Sequence, residues 1–330
     1  MNFKYLPKIE LHCHLDGSVR PSTVIELAKK KNIELPSLNE IEIQKLMVAP
    51  KNCSSLDEYL KRFDLPGLVM QDEEGLERIA FELMEDAFSE NIVYIEIRFA
   101  PLLHVSKGLT VKQVISSVLK GIKRAEKQFD IKGNLILSCM RTMSVESSYE
   151  VIESGKEFLG NGVVAVDLCS SEYDDFCFKF EKPIALARSY GYRITIHAGE
   201  TGIGKNVLDA INILKAERIG HGIFIKDHEE AYNLVKEKNI TLEMCPTSNL
   251  QTKAIDYLFN YPLEKFYKDG IKVTLNTDNR TVSNVDLTNE YSVIIKEFNM
   301  DEEDYKNIYL NSVKACFAND EIKNKLKKYI

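Results

Sequence analysis

The sequence predicts an α/β fold, a (β/α)8 or TIM barrel, and three observations predict it. Eight strand-like runs, near residues 8–14, 92–99, 134–140, 163–168, 193–197, 217–221, 240–245 and 271–277, alternate with amphipathic helical patterns. That alternation implies parallel pairing, and eight such units suit a closed barrel. Buried parallel strands are usually apolar on both faces, yet here one row of side chains is polar in strand after strand. Finally, histidines and acids gather at the carboxyl ends of the runs, where barrels of this class carry their active sites. An open doubly wound sheet is the structural alternative.

The first run ends Ile-Glu-Leu-His-Cys-His. Alternate side chains of a strand share a face, so His12 and His14 lie together and can reach one cation. Ile9, Leu11 and Cys13 take the other side, which makes Cys13 a packing residue rather than a thiolate ligand. About seventy-five residues then separate the first run from the second, against twenty to forty elsewhere. A barrel needs one helix there, so residues 20–90 are predicted to hold a helical insertion near the mouth of the first strand. Long insertions in such places commonly act as lids. Within it, Leu56, Tyr59, Leu60 and Phe63 fall at i, i+3, i+4 and i+7 and form one apolar helix face. Leu76, Ile79, Leu83 and Phe88 mark the helix before the second strand.

The second run sets Val93, Ile95, Ile97 and Phe99 outward and Tyr94, Glu96 and Arg98 inward. The fourth sets Val164, Val166 and Leu168 against Asp167, and the fifth sets Ile194 and Ile196 against Arg193, Thr195 and His197. The sixth ends in His221 between two glycines. In the seventh, Ile240, Leu242 and Met244 oppose Thr241 and Glu243. In the eighth, Ile271, Val273 and Leu275 oppose Lys272, Thr274, Asn276 and Asp278. The inward rows are expected to converge on a wet, functional interior. Four of the six histidines fall at strand ends; His104 and His228 do not and read as surface or loop residues.

Three imidazoles and a carboxylate suit a borderline-soft divalent ion, zinc first, with water completing the coordination. The best set is His12, His14, His197 and Asp278. Such an ion lowers the pKa of its water from 15.7 to about 7. Glu200, three residues after His197, is placed to shuttle a proton to a substrate. His221 is placed to orient or deprotonate the nucleophilic water.

The remaining numbers bound the setting. The chain has 330 residues, 44% hydrophobic, with net charge −7, and reads as one barrel over 1–330. Its basic residues are scattered, which argues against nucleic acid or an anionic membrane as partner. The N-terminal stretch lacks the apolar core of a signal peptide. Seven cysteines without a CxxC pair read as reduced, buried thiols of a cytoplasmic protein.

Five segments, each at a strand end, are similar to those of the adenosine deaminases: Pro-Lys-Ile-Glu-Leu-His-Cys-His-Leu-Asp-Gly at 7–17, His-Ala-Gly-Glu at 197–200, Arg-Ile-Gly-His-Gly at 218–222, Cys-Pro-Thr-Ser-Asn at 245–249 and Asn-Thr-Asp at 276–278. The resemblance spans almost the whole chain. It implies zinc-dependent hydrolytic deamination of adenosine and 2′-deoxyadenosine in purine salvage. One zinc per chain would be held by His12, His14, His197 and Asp278. Glu200 would protonate the purine N1, and His221 would assist the attacking hydroxide. Asp16 matches a residue that binds a ribose hydroxyl, where enzymes acting on free adenine tend to carry Glu. His14 also faces the substrate, and the helix bearing Leu56 to Phe63 would cover the ribose side. Two positions depart from the family pattern. Ser170 replaces a glycine whose amide touches the purine N3, and Asn279 replaces an aspartate facing N7, to which its amide can donate directly.

Other readings remain open at this level. Adenine, a 5′-substituted adenosine or aminodeoxyfutalosine are nearby substrates, and a non-catalytic purine-nucleoside-binding protein would share the scaffold. Gly199 to Lys205 matches GxxxxGK of a P-loop, but Asn206 stands where the magnesium-binding hydroxyl belongs.

Overall fold

The computed structural model describes residues 1–50, 53 and 56–330, with the side chains of Leu56 and Asp57 outside that description. Eight strands follow one another around the sheet in chain order: β1 (Lys8–His14), β2 (Ile92–Phe99), β3 (Lys132–Met140), β4 (Val163–Cys169), β5 (Arg193–Ala198), β6 (Arg218–His221), β7 (Thr241–Met244) and β8 (Lys272–Leu275). All seven neighbouring pairs are parallel. Just past β8 the chain meets β1 again. Cys13 bridges to Asp278, the His14 N–H donates to the Asp278 carbonyl at 2.7 Å, and the Asp278 N–H donates to His12 at 2.9 Å. This seam closes the ring and sets His12, His14 and Asp278 side by side.

The outward rows build the core beneath the helices. Ile95, Ile97, Phe99, Val166, Leu168, Ile194, Ile196, Leu242, Met244, Val273 and Leu275 are all buried in one cluster. Full burial of each such side chain is worth roughly 1.5–3 kcal/mol. The stretch between β1 and β2 holds α1 (Pro21–Lys31), α2 (Glu40–Met47), α3 (Leu56–Leu60), α4 (Asp64–Val69) and α5 (Glu73–Ser89). Pro21 opens α1 and Asn32, with φ 52°, closes it in the left-handed region. Asn39 and Asp72 cap α2 and α5 through their side-chain oxygens, satisfying amides that a helix start leaves free. Leu76, Ile79 and Leu83 of α5 are buried as the spacing predicts. Phe88 is not: it is 41% exposed and stacks on Phe129 at 5.1 Å.

Next come α6 (Val111–Gln128), α7 (Val145–Gly155), α8 (Phe176–Tyr190), α9 (Lys205–Asn212), α10 (Glu229–Glu237), α11 (Pro246–Gln251), α12 (Leu263–Lys268), α13 (Arg280–Ser283), α14 (Leu287–Glu297), α15 (Glu302–Ala315) and α16 (Asp320–Leu326). Among the described residues no helix is long and apolar enough to cross a membrane.

The interior differs from the wet core that the polar rows suggest. Glu96, Arg98, Asp167, Thr195 and Glu243 are sealed from solvent. Arg98 donates to Glu243 at 2.7 Å and to Asp167 at 3.4 Å, while Arg218 donates to Glu243 at 2.6 Å and pairs with Glu96 at 2.7 Å. Two guanidiniums thus knit three carboxylates into a dry network, because unpaired charge in such a place would be very costly. Arg193, counted with the inward rows, instead lies exposed at the start of β5 on Glu217. Replacing Arg98 by Met takes one guanidinium away from two buried carboxylates, Asp167 and Glu243. The expected loss is about 3–5 kcal/mol of folding stability, read as a shift of the urea midpoint; a loss under about 1 kcal/mol would mean that the network is not holding the barrel.

Of the two histidines read as surface or loop residues, His104 differs and His228 does not. His104 is buried against the Phe99 ring at 5.7 Å, and burial pushes its pKa down to about 4. His228 caps α10, accepting from the Ala231 N–H at 3.2 Å.

Candidate active site

The carboxyl ends of the strands bring four imidazoles and one carboxylate to one spot. His12 sends Nδ1 to Glu243 at 2.8 Å and aims Nε2 toward the centre, 3.4 Å from Asp278 Oδ1 but with no hydrogen-bond partner. His14 Nε2 lies 3.4 Å from the same oxygen and 3.3 Å from His197 Nε2. His197 holds its other nitrogen on Asp167 at 3.0 Å. The free Asp278 oxygen accepts from Ser248 at 2.6 Å. His12, His197, His221 and Asp278 each offer one ligand atom, all within 4.8 Å of one another.

These residues fit a divalent metal. His12 Nε2 is an orphaned buried polar atom, and two imidazole nitrogens face each other at 3.3 Å, an arrangement that a cation between them would satisfy. Carboxylates behind His12 and His197 fix the tautomer that turns Nε2 inward, as metal-binding imidazoles require. Burial, though Asp167 opposes it, pushes His197 down to about 3, so its ring is neutral.

His221 stands apart within the group. Its Nδ1 faces not a carboxylate but the Asn249 amide nitrogen at 3.1 Å, while the amide oxygen of Asn249 accepts from Tyr261 at 3.1 Å. Its Nε2 faces Glu200 at 3.6 Å. The backbone is strained to make this rim: Ser170, His221 and Asp278 have φ of 82°, 66° and 62° at the ends of β4, β6 and β8, a conformation that non-glycine residues hold only where the surroundings impose it. Gly220 is required for a different reason, since a Cβ there would sit 2.9 Å from His12 Cε1.

At the rim lies a cavity of about 230 Å³, lined by His14, His197, His221, Glu200 and Asp278 and by the apolar side chains of Leu60, Phe63 and Met140. Burial raises the Glu200 carboxyl above its ordinary range. His221 opposes that shift, while the Asp278 and Glu172 carboxylates reinforce it. Asp16 is pushed up to about 6 by burial, with the Gly17 N–H opposing. Asp278, despite burial, is held well below the usual range by His12 and His14. Two carboxyls whose surroundings push them in opposite directions, Glu200 up and Asp278 down, therefore share one pocket, the pattern by which two acids take different roles.

Asp16, Ser170 and Asn279 line this cavity, as do Tyr59, Leu60 and Phe63. Tyr59 is almost wholly buried and bonds Ser283 at 2.7 Å, so it packs on the barrel more than it covers the opening. Leu56 belongs to α3 by its backbone, but its side chain lies outside the described residues. Asn279 presses against Gly17, where any Cβ would fall 1.9 Å from Asn279 Oδ1. Lys205 of the GxxxxGK segment pairs with Asp175 at 3.0 Å and with Asp209. Replacing Ser170 by Gly removes the left-handed strain, which costs a side-chain-bearing residue about 1 kcal/mol. The variant should gain that much stability, read from urea melts; no gain would mean that Ser170 is unstrained.

Several residues escaped the sequence. Arg141, at the end of β3, donates to the carbonyls of His197 and Ser170, each at 2.5 Å, and stacks over Phe176. Glu172 also braces the site, and its only sequence signal is proximity to a strand end. Ser248 and Asn249 lie inside the 245–249 segment already matched to the family, but sequence reasoning assigned them no role.

A family model described as adenosine deaminase matches residues 7–330. An adenosine deaminase of Clostridium perfringens is 61% identical over 327 residues, covering 99% of this chain and 98% of its own. Among solved structures, an adenine deaminase from Arthrobacter aurescens superposes with TM-score 0.90 at 25% identity, covering 98% of both chains. An amidohydrolase from Burkholderia ambifaria, solved with bound zinc, superposes with TM-score 0.90 at 27% identity, covering 99% of this chain and 90% of its own.

Proposed function

The chain belongs to the adenosine deaminase family, and from that premise we propose how its residues carry out hydrolytic deamination of adenosine to inosine and ammonia. It is a metal-dependent hydrolase acting on a carbon–nitrogen bond. His12, His14, His197 and Asp278 hold the ion. Zinc is the assignment that three imidazoles and a carboxylate favour, and the Burkholderia relative carries zinc. When bound, zinc supplies a water-derived nucleophile at neutral pH.

The chain's own residues do the rest. Glu200, kept protonated by burial, donates to the purine N1, so that no negative charge builds on the ring as oxygen adds at C6. His221 Nε2, 3.6 Å from the Glu200 carboxyl, orients the nucleophile and takes up its proton. That proton passes to the amino group so that ammonia leaves, and the hydrogen remaining on the added oxygen returns to Glu200 as the C6 carbonyl forms. Asp278, ionised, accepts a hydrogen bond from the attacking group. Asn279 donates to N7, the Ser170 main-chain N–H faces N3, and Asp16 takes a ribose hydroxyl. Leu60 and Phe63 of the insertion cover the sugar. His14 serves both metal and substrate sides.

Asp16 favours a nucleoside over free adenine, because its shorter side chain leaves room for the sugar that it bonds. 2′-Deoxyadenosine is the second substrate. The fold is one barrel with residues 20–90 as its insertion. Seven buried cysteines suit a reducing cytoplasm, and the reaction belongs to purine salvage. The observation that carries this reading is the buried Glu200 carboxyl facing His221 at 3.6 Å beside an imidazole group arranged for a cation.

The test follows the fall in absorbance on deamination, with adenosine, 2′-deoxyadenosine, adenine and 5′-substituted adenosines offered to zinc-loaded protein. Adenosine should turn over at least tenfold better than adenine in kcat/KM. Turnover of none of them would sink the reading, and a preference for adenine would move the role of Asp16.

A further inference from the structure

We propose that Glu172 is the positioning residue of the proton donor: its carboxylate fixes the loop that presents Glu200 to the substrate. The inference rests on the role given to Glu200 above and adds a residue that lies off the cavity. Glu172 sits in the loop between β4 and α8, and Glu200 in the loop between β5 and α9. Three successive main-chain N–H groups of the second loop point at this one side chain. Gly199 donates to Oε1 at 2.7 Å, and Glu200 and Thr201 donate to Oε2 at 3.0 Å each. The Thr201 hydroxyl adds a bond at 3.0 Å, and the Asn206 amide, on the first turn of α9, adds one at 2.9 Å.

Five donors on one carboxylate exceed what holding a surface loop needs. Consecutive N–H groups converging in this way form a concavity that binds an anion, and here the anion is a side chain from the neighbouring strand's loop. Gly199, at φ 67°, makes the turn that aims the three amides together. A Cβ there would also meet Val207 at 2.7 Å. From the loop so held, the Glu200 side chain reaches His221 and Thr252. Arg141 anchors the same stretch from the other side through the His197 carbonyl. The negative charge of Glu172 also opposes ionisation of Glu200, in keeping with a group that must carry a proton.

Glu172→Ala tests this against a merely structural role. Misplacing a reacting group by about 1 Å can cost 10²-fold, so kcat should fall about tenfold to a hundredfold. KM should stay within about threefold, because Glu172 does not line the pocket. Zinc content should stay at one per chain, and hydrogen exchange should quicken at the amides of 199–201. In the Glu200→Gln background the same change should cost less than about twofold, since the positioned group is already gone. Glu172→Gln, the same size but with only one acceptor oxygen, should lose activity in the same direction and covers the case in which the alanine variant does not fold. The inference is overturned if kcat holds within twofold while those amides exchange freely. It is also overturned if the loss is as large in the Glu200→Gln background as in the wild type. Full activity of Glu200→Gln alone would instead remove the proposed role of Glu200.

Discussion

Glu200→Gln should lower kcat by about 10²–10⁴-fold, the range that a positioned acid contributes, while zinc content and melting temperature stay at wild-type values. The amide keeps the shape of the carboxyl and its contacts with Thr252 and His221, but it has no proton to give. Without protonation at N1, addition at C6 places negative charge on the ring in a pocket built around Asp278, an anion. The loss should fall mainly on kcat, because an amide N–H can still donate to N1 in the bound substrate. Steady-state kinetics with metal analysis on the same sample read both quantities. Activity within threefold of wild type would take the acid out of the mechanism, and loss of metal would show that Glu200 holds the site together instead.

Removing the metal is the second large effect. Chelation, or His197→Ala, should abolish turnover and lower the melting temperature. A ligand present at a thousand times its dissociation constant stabilises the native state by about 4.1 kcal/mol. Withdrawing it also leaves His12, His14 and His197 crowded around a shared void. Zinc added back should restore activity and melting temperature to the chelated wild type but not to His197→Ala. If the chelated protein melts as before, the imidazole group is held by its carboxylate partners alone. If it keeps its activity, the hydrolysis needs no ion and the ligand assignment falls.

Much of the barrel could be read in advance because period-two parity and strand–helix alternation are local signals. The apolar row from Ile95 to Phe99 and that from Ile194 to Ile196 announce which face meets the helices. Boundaries slip where the backbone does something unusual. The eighth run reads as strand to residue 277, but β8 stops at Leu275: the Asn276 N–H still bonds the Met244 carbonyl of β7, after which the chain crosses to β1 and Asp278 takes a left-handed φ. Phe88 lies exposed on Phe129 because it falls five residues after Leu83, off the apolar face of α5, and Ala87 takes the buried position instead.

The interior shows the same division. Parity alone turns Glu96, Arg98, Asp167 and Glu243 inward, and it cannot say whether they meet water or one another. The answer depends on Arg218 arriving from β6 and on the ring closing at Cys13 and Asp278. In the candidate site, strand ends bring His12, His14, His197, His221, Glu200 and Asp278 to one rim as a consequence of topology. The side chains that hold them there come from elsewhere: Glu243 behind His12 is 231 residues away in the chain, and Asn249 behind His221 is 28 away.

What the sequence determined by itself is therefore the repeat, the inward rows and the family, since each follows from residue order over short spans. What only the tertiary structure decided is which nitrogen of each imidazole faces the centre, which carboxyl is pushed up and which down, and which loop is tied to which. Those properties depend on burial and on partners far apart in sequence. A desolvated charge takes its state from whatever lies within a few ångströms, and no spacing rule encodes that neighbour.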